Sequence, residues 1–100
     1  MIKSFQIGAK TYTVELEKNT QRYKDKKDDL LGRAMSPLGK IVVWDEWDGE
    51  KIPDEHIEQT IFHEMVHTSL NEMGRFELSG DEEFVQTFSL LFHQAIRTAK

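Results

Sequence analysis

The apolar period of this chain changes once, at Pro53, and that change limits the possible folds more than any other feature. Before it, apolar residues alternate. Ile2, Phe5 and Ile7 precede Gly8-Ala9-Lys10, and Tyr12, Val14 and Leu16 follow. Alternation on either side of a Gly-containing connection predicts a β-hairpin, because successive strand side chains face opposite ways. Ile41-Val42-Val43-Trp44, β-branched and aromatic between turn residues, predicts a third strand. After Pro53 the spacing becomes helical. Ile57, Ile61 and Met65, with Phe62, Val66, Ser69 and Met73, form one amphipathic segment that Gly74 closes. Ser79-Gly80-Asp81-Glu82 opens a second, with Phe84, Phe88, Leu91, Phe92 and Ala95 as its apolar stripe. The expected architecture is α+β: a small three-stranded sheet packed on two helices, with residues 1–100 as a single domain. Residues 17–29 are polar and mixed in charge, and suit a solvated helix or a loop equally well.

At 100 residues the chain buries only about two-thirds of the surface it exposes when unfolded, so a bound metal would add materially to its stability. It has no cysteine, which excludes disulfides, thiolate metal sites and a thiol nucleophile. Any metal must be held by histidine and carboxylate. Thirteen Lys and Arg against eighteen Asp and Glu give a net charge of −5, the reverse of the basic surplus of a nucleic-acid binder. The longest apolar runs, 41–44 and 90–92, fall far short of the roughly 20 residues that span a bilayer. The N-terminus lacks the pattern of a signal peptide. A cytoplasmic monomer without nucleic-acid or membrane partners is expected.

His63-Glu64-Met65-Val66-His67 lies in the middle of the first predicted helix. Residues four apart share a helix face, so both imidazoles can reach one tetrahedral ion. Glu64 then lies beside the fourth coordination position, where water sits, as a base rather than a ligand. A chain of this composition would contain the pattern by chance about 2% of the time, which makes an incidental match the weaker reading.

A catalytic zinc needs three protein ligands and an open position. A third histidine in the metzincin manner requires Gly at position 70 and His at 73, but these are Leu70 and Met73. The remaining choice is a carboxylate from the following helix, where Glu82 and Glu83 both stand in the first turn. Glu82 shares a face with Val85, Gln86 and Ser89, and Glu83 with Thr87 and Leu90, so either is feasible. Ser79-x-x-Glu82 also has the form of a capping box, which would occupy Glu82 otherwise. If Glu82 is the ligand, Gln86 one turn on is expected to orient it.

The runs Glu58-Gln-Thr-Ile-Phe-His-Glu-Met-Val-His-Thr-Ser-Leu-Asn-Glu-Met-Gly and Asp81-Glu-Glu-Phe-Val-Gln-Thr-Phe-Ser resemble the small single-domain zinc metallopeptidases of phages and prophages. These lie on the gluzincin side of the zincins. The likeness covers residues 53–94 and departs at Gln86, where an acid is more usual. It implies a three-stranded sheet on the active-site helix, with zinc between that helix and the C-terminal one. A Glu two residues before a Phe-Val pair recurs in such proteins, which favours Glu82, with Glu83 the second choice.

The chemistry these residues suggest is peptide hydrolysis: His63, His67 and Glu82 hold Zn2+, and Glu64 takes a proton from water and returns it to the leaving amine. His93, eleven residues after Glu82 on the same face, is placed to donate to the oxyanion, with a solvated position as the ordinary alternative. Tyr12 and Tyr23 are lesser candidates. His56 is expected at the surface, Trp44 in the core, and Trp47 beside an acidic loop. An extended peptide is expected to lie along 41–44, and residues 94–100 are able to cover a cleft. The rival reading is a zinc-stabilised binding module, or latent peptidase, that captures a host protein.

Overall fold

A computed structural model describes residues 1–19, 32–35, 38–47 and 49–100. Among these residues five strands, β1 (Ser4–Ile7), β2 (Lys10–Asn19), β3 (Gly32–Met35), β4 (Lys40–Trp47) and β5 (Glu50–Lys51), precede three helices. These are α1 (Asp54–Glu72), α2 (Phe76–Ser79) and α3 (Glu82–Thr98). The α+β class is as expected, and the sheet is larger than the expected three strands. Its order is β1-β2-β4-β3, with β5 paired to β4. The first hairpin forms as its alternation predicts, Phe5 opposite Tyr12 and their rings stacked at 5.3 Å. Gly8 makes the turn at φ 61°, a conformation costly for any residue with a Cβ. β2 then runs on to Asn19, so residues 17–19 of the polar segment are strand; the rest of that segment, with Tyr23, lies outside the described residues.

β4 pairs in parallel with β2 and antiparallel with β3. It is therefore an interior strand, and Ile41, Val42, Val43 and Trp44 are all buried. This corrects the expectation of a peptide laid along 41–44, because residues 41–43 are already paired with a strand on each side. On one face Tyr12, Ile41 and Val43 pack against Ile57 and Ile61 of α1. Full burial of each such aliphatic side chain contributes about 1.5–3 kcal/mol, so this cluster fixes α1 on the sheet. Gly32 of β3 lies against the same helix: a Cβ there would meet Thr60 Cγ2 at 2.8 Å and the Val42 carbonyl oxygen at 3.0 Å.

α1 starts after Pro53 with Asp54 and Glu55 in its first turn, where acids suit the helix dipole. It stops at Gly74, φ 74°, where the Arg75 N–H reaches back to the Leu70 carbonyl at 2.8 Å. α3 packs along the side of α1 away from this cluster, burying Val85, Ser89 and His93. The expected stripe faces elsewhere. Phe84, Phe88, Leu91 and Phe92 are 37%, 44%, 60% and 49% exposed, and the three phenylalanine rings stack along the outside of the helix. The correction has a polar cause: α3 turns toward α1 the face that carries Glu82, Gln86 and His93, each bonded to an α1 side chain. Among the described residues no helix is long and apolar enough to cross a membrane.

Candidate metal centre

The middle of α1 holds both histidines one turn apart on the side facing α3, and their Nε2 atoms stand 3.2 Å from each other. Glu82, in the first turn of α3, closes the triangle. Its Oε1 lies 3.0 Å from His67 Nε2 and its Oε2 3.3 Å from His63 Nε2. Atoms bound tetrahedrally about 2.0–2.1 Å from one ion are about 3.3 Å apart, so the three edges match one face of such a site.

Each imidazole is held from behind. Gln86 Oε1 accepts from His63 Nδ1 at 2.7 Å, and Ser79 Oγ is 3.0 Å from His67 Nδ1 while its own hydroxyl turns toward the His67 carbonyl at 3.5 Å. With hydrogen on both Nδ1 atoms, both Nε2 atoms present lone pairs, and the Glu82 carboxylate presents more. Three acceptors this close repel one another unless a cation lies among them. Two imidazoles and a carboxylate suit Zn2+ and related divalent transition ions. Burial holds the His67 imidazole below the usual histidine range, an effect the Glu82 carboxylate partly opposes, and the neutral ring is the ligating form. The Glu82 side chain is 68% exposed, so the cluster opens toward solvent.

Glu64 is the buried charged member of the motif, only 5% exposed, and no hydrogen-bond partner reaches it among the described residues. Desolvation, with a smaller contribution from the Glu82 charge, pushes its carboxyl up to about 7. A carboxyl poised near neutrality can both take and return a proton.

Glu82 rather than Glu83 meets the two histidines, and the capping box does not form. Asp81 caps α3 instead, its Oδ1 accepting from the Phe84 N–H at 3.1 Å, which leaves Ser79 to His67 and Glu82 to the cluster. Gln86 departs from its expected role as well, since it bonds His63 rather than Glu82. His93 is not brought to the site. It is 3% exposed, its Nε2 donates to Glu58 at 2.8 Å, and eleven residues of helix set it about 16 Å along α3 from Glu82. Residues 94–98 continue α3 beyond His93, away from the cluster rather than over it. Tyr12 is buried and donates to Glu72, and His56 is exposed as expected. Ser79 is the residue that sequence reasoning missed, because its short-range pattern matched a cap.

Compared with protein-family models, with curated proteins and with solved structures, the chain matches none.

Proposed function

We propose that this chain is a zinc-dependent peptidase of the minimal gluzincin-like type. The observation that carries the reading is the convergence of His63, His67 and Glu82 at tetrahedral spacing, with the carboxyl of Glu64 buried within reach of the Glu82 charge and without a hydrogen-bond partner among the described residues. When bound, a divalent ion supplies Lewis acidity, polarising a carbonyl and lowering the pKa of water toward about 7. The chain's own residues do the rest. Gln86 and Ser79 fix the two rings with Nε2 inward. Glu64 accepts a proton as water adds to the peptide carbonyl, and delivers it to the amine nitrogen as the C–N bond breaks. Outer-strand positions belong to β1 and β3, and Gly32 of β3 touches Thr60 one turn before the motif. An extended peptide adding to the edge of β3, which is outermost among the described strands, would therefore lie beside the site.

A site that only stabilises a fold is closed by four ligands and needs no base. Three ligands, an open side and Glu64 favour the peptidase over the zinc-stabilised binding module. The test is Glu64→Gln. The peptidase reading expects full zinc binding with cleavage of a protein or peptide substrate lost. Cleavage retained in this variant would exclude the mechanism.

A further inference from the structure

α1 and α3 run antiparallel, and polar contacts recur along their seam. Glu82 meets His67 at one end and Gln86 meets His63 beside it. At the other end Glu58 Oε1 accepts from His93 Nε2 and from Arg97 Nη1, both at 2.8 Å. Phe62, on the next turn of α1, packs edge-on against the His93 ring at 5.1 Å. Between these ends α3 buries little apolar surface. Of its seventeen residues only Val85, Ser89 and His93 are buried, and its phenylalanines face outward. Apolar contact between α3 and α1 is concentrated at Val85, which packs with Val66 and Leu70, and at the Phe62 ring against His93.

We propose that Glu58, His93 and Arg97 form a positioning clamp that sets the placement of α3 and, through it, the placement of Glu82 against the two histidines. This rests on the metal-centre reading above. Glu58 lies five residues before His63, about 7.5 Å along α1, and the clamp is farther still from Glu82 along α3. It touches no ligand and acts only through the rigid helix. His93 is 3% exposed and about 16 Å along α3 from Glu82, so it does not join the cluster directly. Because coupling is reciprocal, metal at one end tightens the clamp at the other.

The experiment measures Zn2+ affinity by competition with a chromophoric chelator for the wild type, Glu58→Ala, His93→Ala and Glu58→Gln, with folding of each metal-free protein checked by circular dichroism. Glu58→Ala and His93→Ala are expected to bind about tenfold more weakly, while Glu58→Gln, which keeps an acceptor oxygen, stays within about threefold of wild type. The Co2+ absorption spectrum is expected to be the same in all four, since the ligands are untouched. Should Glu58→Ala fail to fold, Arg97→Ala removes one exposed donor and is expected to weaken binding in the same direction. Folded variants with wild-type affinity would overturn the clamp while leaving the metal centre standing. A wild type that binds no Zn2+ would overturn both.

Discussion

Ser79 Oγ stands 3.0 Å from His67 Nδ1, joining the end of a four-residue helix to the His-Glu-x-x-His motif twelve residues earlier. The contact explains why the chain interrupts itself between α1 and α3. The short α2 carries a buried hydroxyl behind one histidine, and Asp81 then restarts the helix so that Glu82 meets both histidines from the front.

Removing that hydroxyl is expected to loosen the His67 ring without removing a ligand. Ser79→Ala and Gln86→Ala should each weaken Zn2+ binding by about 10–100-fold, the usual cost of losing a group that orients a ligating histidine. Isothermal titration of both variants checks this.

Glu64→Gln is expected to lower turnover by at least about 10²-fold while zinc stoichiometry stays at the wild-type value, in keeping with loss of a general base. Zinc content and peptide cleavage, measured on the same preparation, separate the two effects.

In the metal-free protein Glu64 has a second consequence. Its folded-state pKa, about 7, lies above the usual 4.5, so its protonated form favours the fold. That contribution is complete below pH 4.5 and is lost as pH rises toward 7, on the order of 3 kcal/mol across the window. Glu58 runs the other way. The Arg97 and His93 hydrogen bonds lower its pKa, so its contribution is present above pH 4.5 and lost as pH falls further. Urea unfolding of metal-free wild type and Glu64→Gln between pH 5 and 8 should show the variant losing less stability as pH rises.

The outward phenylalanines give a contrast in stability. Phe88→Ser is expected to lower unfolding free energy by about 0.5–1.5 kcal/mol, the worth of the ring stacking it loses on the outside of α3. Ile61→Ala, in the core between α1 and the sheet, should cost about 2–5 kcal/mol. Paired denaturant titrations compare them.

The period change at Pro53 and the motif spacing were legible because both are local: alternation, helical repeat and residues four apart need no tertiary knowledge. Gly74 as a stop and Ile57 and Ile61 as core followed in the same way. What escaped was set by partners distant in sequence. The phenylalanine stripe of α3 reads as core by hydropathy, yet the polar contacts of Glu82, Gln86 and His93 turn it outward. His93 reads as a site residue by helical phase, but its bond to Glu58, 35 residues away, places it elsewhere. β3 was missed because Gly32-Arg33-Ala34-Met35 carries no strand pattern; its backbone pairs with β4. Ser79 satisfied a capping rule that Asp81 satisfies in fact.

The most direct measurement of the central claim is Zn2+ stoichiometry by native mass spectrometry for the wild type, Glu82→Gln and Glu83→Gln. The account predicts one zinc per chain in the wild type and in Glu83→Gln, and its loss in Glu82→Gln. Zinc held equally by all three, or by none, would contradict it.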